Sequence, residues 1–298
     1  MLPWIFSILL SLKVSVCSCG PEVRRLGVAR VQAQYRVEHL GRLPPVLRES
    51  SGLARRTADG RSVWTHNDGG NPAMLYGISV ADPTLPGTLL DSISLPHLPN
   101  VDWEDLAQQD TARLFIADVG NNTNARQDLT IYPVRVQRGG ATDTANARPI
   151  RLRYTDQKTF PPPPNQRNFD CEAVFYRSDS LFLLSKNRSG HQVRLYGLPA
   201  RSTGSLRQPH RLAPLDSVHI RGMVTGAALS PAGRTLAVLT YGKILFFDLS
   251  ASPATRLRHP TGCLRVPRGQ TEAITFLTET TLLFTNERGH LYRLRPRP

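Results

Sequence analysis

The feature that most constrains this chain is a repeated unit of short apolar strands, which occurs five times from residue 51 onward. Each unit opens with an apolar strand preceded by a polar residue. A second apolar strand then ends in charged or amide residues, and a third contains Leu-Tyr or a similar pair. Units of about 40–50 residues that hold four strands are typical of β-propeller blades. The first strands begin at Ser51, Glu104, Glu172, Gly226 and Glu272.

These units predict an all-β protein, a β-propeller of five four-stranded blades. The fifth unit lacks a fourth strand, whereas Val31–Leu40 alternates like a strand and precedes the first unit. We therefore expect the N-terminal strand to complete the fifth blade and close the ring, which removes exposed edges. Six blades, with one hidden in 135–165, is the alternative, but that stretch is short for a blade. Fourth strands of the other units are predicted at Leu89–Leu95, Ile150–Tyr154, His210–Leu215 and Thr255–Arg258.

The N-terminal sequence indicates export. Residues 1–18 hold an apolar stretch too short to span a bilayer, as in a signal peptide. The run from Val16 to Cys19 has the form of a lipoprotein cleavage box, so Cys19 is a candidate for lipidation; simple cleavage is the alternative. We expect a linker over 19–29 and a single propeller over 30–298. The protein would then lie in the periplasm, on the outer membrane or outside the cell, with a lipid anchor as its only membrane contact.

Two further cysteines, Cys171 and Cys263, are too few for a disulfide framework. They could pair, but two buried thiols are the default expectation. The fold must therefore be held together by its packed core.

The charge balance is strongly basic, with 37 Lys and Arg against 23 Asp and Glu, a net charge of +14. The basic residues are scattered and form no run of five or more. Because a nucleic-acid site requires clustered charge as well as a large sum, we predict no nucleic-acid partner. We expect a monomer with a basic outer wall around an acidic centre.

The propeller geometry brings distant polar residues to one place. The innermost strand of a blade starts at the same end of the ring at which the antiparallel second strand finishes; this end is called the mouth below. Carboxylates that converge there repel one another unless a cation compensates, and Ca²⁺ prefers carboxylate and amide oxygens. The sequence therefore predicts a calcium site with the candidate ligands Asp68, Asp105, Asp118 and Asn121.

Other residues at the mouth are candidates for chemistry or ligand binding. The three repeated glutamates Glu104, Glu172 and Glu272, together with His66, are the candidate catalytic groups. The basic and amide residues could hold a phosphate or carboxylate group. The alternative is that these side chains cap turns or are merely hydrated. The candidate ligand-binding residues are Lys186, Arg188, Arg288 and Asn122.

Several motifs resemble a group of exported bacterial propellers, similar to the "esterase-like activity of phytase" and SdiA-regulated families. The resemblance covers roughly residues 45–295 and implies a propeller fold. The motifs that carry it are Glu49–Leu53 (ESSGL), Trp64–Asp68 (WTHND), Val101–Ala107 (VDWEDLA), Asp118–Asn122 (DVGNN), Phe169–Val174 (FDCEAV), Ser185–Arg188 (SKNR) and Thr271–Ala273 (TEA).

A weaker similarity is to calcium-activated nucleotidases of the apyrase type. It implies a five-bladed ring with central acids at Ca²⁺, matched here by the three repeated glutamates. It also implies a phosphate site, matched by Lys186, Arg188 and Arg288. The chain departs from that pattern where Ser51 and Gly226 replace glutamate.

These observations predict an exported propeller whose acidic, Ca²⁺-binding mouth takes a small phosphorylated or sugar ligand. One alternative is a metal-dependent phosphoester hydrolase, in which the cation polarises phosphate oxygens. A second is a non-catalytic envelope binding module. Glycoside hydrolysis by Glu104 and Glu272 is a further possibility, since it needs two carboxylates across the mouth.

Overall fold

The apolar runs of the repeat form short strands that are buried on both faces near the centre of the molecule. Val63, Trp64 and Thr65 in the first unit are all at most 1% exposed, because each inner strand is covered by the neighbouring blades. A computed structural model describes residues 19–298 except 83, 138–141, 144–147, 202–207, 251–256, 258 and 268. The predicted signal peptide lies outside the described residues.

The strands form five small sheets, each of which is one blade. The N-terminal segment holds α1 (Gly20–Leu26), β1 (Ala29–Arg30) and a 3₁₀ turn (Gln32–Gln34), and a second 3₁₀ turn spans Pro164–Gln166. The strands of each blade are given from the centre outward. Blade 1 holds β3 (Ser50–Arg55), β4 (Ser62–Asn67), β5 (Met74–Ser79) and β6 (Leu89–Ser94). Blade 2 holds β7 (Trp103–Gln108), β8 (Arg113–Asp118), β9 (Thr130–Val136) and β11 (Ile150–Tyr154), with β10 (Thr142–Asp143) and β15 (His210–Leu212) beside them. Blade 3 holds β12 (Asp170–Arg177), β13 (Ser180–Lys186), β14 (Gln192–Pro199) and β16 (Asp216–His219). Blade 4 holds β17 (Val224–Leu229), β18 (Thr235–Thr240), β19 (Lys243–Asp248) and β20 (Gly262–Arg265), flanked by β1. Blade 5 holds β21 (Thr271–Phe276), β22 (Leu282–Asn286), β23 (His290–Pro296) and β2 (Tyr35–Arg42).

The ring is closed, and it has five blades. The innermost strands contact one another in the cyclic order β3, β7, β12, β17, β21 and back to β3. The outer strand of blade 5 is β2, which pairs antiparallel with β23 from Tyr35 opposite Pro296 to Arg42 opposite His290. The predicted five-bladed ring and its closure by the N-terminal strand are therefore confirmed.

Two outer strands differ from the prediction. The outer strand of blade 3 is β16 rather than His210–Leu215, because β15 instead joins blade 2 and pairs parallel with β11. In blade 4 the outer strand is β20 rather than Thr255–Arg258, and most of that stretch lies outside the described residues. Alternating polarity marks both β15 and β16 as strands, but it does not specify which sheet a strand joins.

A β-bulge recurs at the start of every innermost strand. In four blades the register with the second strand shifts by one residue, which leaves Ser51, Glu104, Glu172 or Thr225 without an opposite partner. In blade 5 the shift falls between Thr271 and Ile274, around Glu272. Bulges re-aim side chains, and here they turn glutamates toward the mouth.

The bulge corrects the alignment of the fourth repeat. The residue equivalent to the repeated glutamate is Thr225, not Gly226. Its hydroxyl donates to the Thr271 carbonyl at 2.6 Å, and the equivalent Ser51 hydroxyl donates to the Glu104 carbonyl at 2.8 Å. Where glutamate is absent, a hydroxyl thus joins one blade to the next.

The segment predicted as a linker is fastened to blade 4. Cys19 forms a disulfide with Cys263, and Glu22 of α1 forms a buried ion pair with Lys243 at 2.7 Å. The disulfide occupies the Cys19 sulfur in this structure, and the lipidation of Cys19 stays a prediction. The expectation of two buried thiols is wrong for Cys263, whereas Cys171 is a buried free thiol. Across the described residues, none of the helices has the length and apolarity required to cross a membrane.

Candidate metal centre at the mouth of the ring

The strand registers gather the predicted polar residues at one end of the ring. Trp103 at the start of β7 lies opposite Asp118 at the end of β8, and Asp170 at the start of β12 lies opposite Lys186 at the end of β13. Blade 1 repeats this arrangement, with Ser50 opposite Asn67. Side chains from separate blades therefore share the mouth.

Three carboxylates from blades 1 and 2 form the centre of this arrangement. Asp68, Asp102 and Glu104 each present an oxygen within 4.8 Å of the other two, and we call them the carboxylate triad. Glu104 also belongs to a second group at the same spacing, with Asp170 and Glu172 of blade 3. Glu104 is 4% exposed, so the shared member of the two groups is almost completely removed from water.

Three carboxylates outside the triad, those of Glu172, Asp170 and Asp118, have cationic partners. Lys186 forms an ion pair with Glu172 and also donates to the Tyr241 hydroxyl at 3.2 Å. Although burial opposes it, the Glu172 carboxylate raises the pKa of Lys186 above its ordinary value, so the ammonium stays charged.

Two arginines neutralise the other carboxylates. Arg188 grips one oxygen of Asp170 with two donors, at 2.9 and 2.7 Å. Arg126 pairs with Asp118 at 3.0 Å, and Asp118 also accepts the Asp102 amide at 2.9 Å. Asp170 and Asp118 are therefore neutralised by arginines of the chain itself.

The triad has no such partner. Among the residues that the structure describes, no cationic side chain lies within ion-pair distance of Asp68, Asp102 or Glu104. Burial followed by the Glu172 and Asp68 carboxylates raises the pKa of Glu104 well above its usual range. Burial, then Asp68, raises the pKa of Asp102 to about 6.

The repulsion within the triad is large enough to need compensation. Two unit charges about 4.8 Å apart repel by roughly 3 kcal/mol at an effective dielectric constant of about 20. With three such repulsive pairs, keeping all three carboxyl groups ionised costs considerable free energy. Either bound protons or a cation must therefore neutralise part of their charge. One buried oxygen of Glu172, Oε2, also has no hydrogen-bond partner. The donor set is all oxygen, which fits a hard cation such as Ca²⁺.

Two glycines make room for the triad. A Cβ at Gly69 would lie 2.5 Å from Oδ1 of Asp102, and a Cβ at Gly120 would collide with the carboxylates of Asp102 and Glu104. Only glycine allows the backbone to approach the acidic side chains this closely. The turns at Gly69-Gly70 and Gly120-Asn121-Asn122 therefore also leave the space that the carboxylates of the triad occupy.

Two predicted site residues lie away from the mouth. His66 is fully buried, its Nδ1 lies 2.8 Å from the Asn67 carbonyl, and its ring packs edge-on against Trp103. Burial lowers the pKa of His66 to about 4, so it is a neutral core residue without access to substrate. Asp105 is also fully buried and accepts the Leu106 and Val174 amides, both at 2.8 Å. The bulge at Glu104 turns these two adjacent acids in different directions.

The remaining candidates have mixed placements. The Asn121 amide donates to the Asp170 carboxylate, and the Asn121 side chain donates to the Phe169 carbonyl. These two hydrogen bonds connect blade 2 to blade 3. Asn122 and Arg288 are exposed. Burial, then Glu172, raises the pKa of the half-buried Glu272 to about 9.

Sequence reasoning assigned no role to several residues that shape this centre. Asp102 and Asp170 precede or open the innermost strands, where the repeat places other acids, so their position was a usable signal. Arg126 lies in a loop after β8, and nothing in the repeat marks it as the partner of Asp118.

Comparisons with known proteins support the fold. The sequence matches no protein-family model and no curated protein. The PQQ-bound aldose sugar dehydrogenase of Streptomyces coelicolor superimposes with a TM-score of 0.51 at 10% identity, over 89% of this chain and 99% of that chain. The calcium structure of a Trichoderma reesei carbohydrate-active enzyme of family AA12 gives 0.51 at 9% identity, over 89% and 96%.

A third similar structure is a Bacteroides thetaiotaomicron protein of unknown function, with a TM-score of 0.46 at 9% identity, over 88% of this chain and 76% of that chain. At about 10% identity, the two structures with TM-scores of 0.51 show the β-propeller fold alone. The specific propeller families that the motifs resemble are not confirmed.

Proposed function

We propose that this protein is an exported β-propeller that binds Ca²⁺ in the carboxylate triad and uses the ion to hold a small anionic or sugar ligand at the mouth. The observation that carries the proposal is the set of three converging carboxylates, Asp68, Asp102 and Glu104, with no cationic side chain of the described residues within ion-pair distance. The Cys19–Cys263 disulfide supports export, since disulfides persist in oxidising compartments.

The choice of Ca²⁺ follows from the donors. No His or Cys accompanies the carboxylates in either acidic group of the described residues, which disfavours Zn²⁺ and Cu²⁺. Ca²⁺ takes roughly six to eight oxygen ligands in flexible geometry. The triad would supply part of that shell, and the oxygens of a hydroxyl, carboxylate or phosphate group could complete it. Two propellers of similar fold are a sugar dehydrogenase and a calcium-bound carbohydrate-active enzyme, which agrees with a sugar as one class of ligand.

Binding is favoured over hydrolysis by the way in which the basic groups are used. Lys186 and Arg188, the expected phosphate grip, donate instead to Glu172 and Asp170. His66, the expected base, is sealed in the core. The phosphoester hydrolase remains the second candidate because a cation held by the converging carboxylates at the mouth could polarise phosphate oxygens.

Calorimetric titration of chelator-treated protein with CaCl₂ tests the proposal. We expect one ion per chain, and Glu104→Gln should weaken binding by about tenfold or more. Glu279→Gln is the matched control, because Glu279 is exposed, lies in the turn between β21 and β22 at the end of blade 5 away from the mouth, and accepts the Ala232 amide of blade 4. An absence of heat and of any Ca²⁺-dependent rise in melting temperature would reject the metal site.

A second assay separates binding from catalysis. The Ca²⁺-loaded protein is incubated with aryl phosphates, nucleotides and simple aldoses, and both turnover and ligand-induced stabilisation are measured. Stabilisation without turnover supports the binding module. Turnover that is lost in Glu104→Gln would favour the hydrolase instead.

A further inference from the structure

We propose that a second site, on the outer edge of blade 2, binds a phosphate group. The site is a cavity of about 230 Å³ lined by three cations, Arg153, Lys158 and Arg211, together with Tyr154, Thr155 and Gln157. We call it the basic pocket. It is separate from the carboxylate triad and does not depend on the function proposed above.

The sheet places two of the cations side by side. β15 lies in the chain between β14 and β16 of blade 3, but it pairs parallel with β11 of blade 2, with Arg153 in register with Arg211. Burial alternates along β11, so that Leu152 and Tyr154 face the core whereas Arg153 is exposed. Neighbouring in-register residues share a face of the sheet, and like charges in that arrangement repel.

Among the described residues, no acidic side chain lines the pocket to relieve this repulsion. Asp156 is close in sequence, but its carboxylate pairs with Arg194 at 3.3 Å and accepts the Tyr196 hydroxyl at 3.1 Å. The ammonium group of Lys158 donates to the Thr155 carbonyl at 2.6 Å, which fixes it at the pocket. Within the described part of the chain, three positive charges therefore converge without a negative one.

The shape of these groups indicates the ligand. Guanidinium groups match the oxygens of a phosphate through paired hydrogen bonds, and a lysine adds a point charge. The guanidinium of Arg153 also stacks over the ring of Phe160 at 4.9 Å, which restrains its position. Three cations suit a phosphate dianion better than a carboxylate. The cavity is smaller than the roughly 300–1,000 Å³ of a pocket for a drug-sized molecule, and therefore suits one charged group with part of its carrier.

Titration with inorganic phosphate tests this site. The protein is kept in metal-free buffer of low ionic strength, and heat is measured for the wild type, for Arg153→Gln/Arg211→Gln, and for Lys158→Met. We expect the double variant to bind phosphate about tenfold or more weakly, and Lys158→Met to bind it several-fold more weakly. The control is Arg48→Gln/Arg61→Gln, which removes the same charge from exposed positions elsewhere and should bind like the wild type.

Vesicles identify the source of the phosphate group. Co-sedimentation with phosphatidylcholine vesicles that contain phosphatidic acid, compared with phosphatidylcholine alone, shows whether a lipid headgroup reaches the pocket. Binding of free phosphate alone indicates a soluble phosphorylated ligand; binding of both indicates that a membrane can supply it. The proposal is overturned if the wild type binds neither probe, if the double variant binds like the wild type, or if the control loses affinity equally. Melting curves establish that each variant is folded.

Discussion

Replacement of Lys186 by methionine should destabilise the protein by about 3–5 kcal/mol near pH 9 and by less near pH 6. Lys186 and Glu172 are each 4% exposed and form a direct ion pair. Methionine fills a similar volume but removes the charge, so the carboxylate of Glu172 is left buried beside Asp170 and Glu104.

The magnitude and its pH dependence follow from this lost partner. Burial already raises the pKa of Glu172, and the Lys186 ammonium opposes that shift. Without the ammonium, the folded-state pKa of Glu172 rises further above the value of about 4.3 in the unfolded chain. The native carboxyl group then keeps a proton that the unfolded chain releases. In the wild type the pKa of Glu172 is raised to about 8, so both proteins lose stability in parallel as pH rises toward that value. The variant loses more than the wild type as pH rises past about 8.

Urea unfolding at pH 6, 7.5 and 9 measures the effect. Lys158→Met is the matched control, since Lys158 is exposed and its loss should change the unfolding free energy by less than about 0.5 kcal/mol. The double variant Glu172→Gln/Lys186→Met should recover part of the loss at pH 9. A loss below about 1 kcal/mol at pH 9, or one that does not vary with pH, would refute the reasoning.

Three further predictions follow from the same structure. Gly120→Ala should weaken Ca²⁺ binding by tenfold or more in calorimetry, because its Cβ would collide with the triad; Gly190→Ala, with its nearest atom 4.0 Å away, should not. His66 should stay neutral at pH 5 in an NMR titration, because burial lowers its pKa, and a protonated native ring at pH 5 would contradict this. Since the unfolded imidazole takes up a proton below about pH 6.5, the stability of the fold should decrease from there toward pH 4. Cys263→Ser, which removes the bond to Cys19, should lower the unfolding free energy by about 2–4 kcal/mol in urea, and an unchanged midpoint would contradict it.

The repeat was sufficient to predict the ring. Five units, the missing strand of the last unit and the alternating Val31–Leu40 segment led to a five-bladed propeller closed by its N-terminal strand. Strand assignment failed only at outer edges. There β15 crosses to blade 2, because local polarity does not encode the partner of an edge strand.

The site was predicted in part. The repeat located Glu104 and Glu172, and the turn after β4 located Asp68. A one-residue bulge, invisible in the polarity pattern, separates the mouth-facing Glu104 from the buried Asp105. Burial decided the outcome for His66, and no sequence pattern measures burial at the end of a strand. The pairing of Cys19 with Cys263 depends on a contact across 244 residues.

The most direct test of the account is a crystal structure of the protein grown with CaCl₂ or with Tb³⁺ as a calcium substitute, with anomalous data collected for the ion. The account predicts one strong anomalous peak bound by the carboxylates of Asp68, Asp102 and Glu104, and its absence in crystals of Glu104→Gln. A mouth without an anomalous peak, or an ion bound at other residues, would contradict the assignment of the triad as a metal centre.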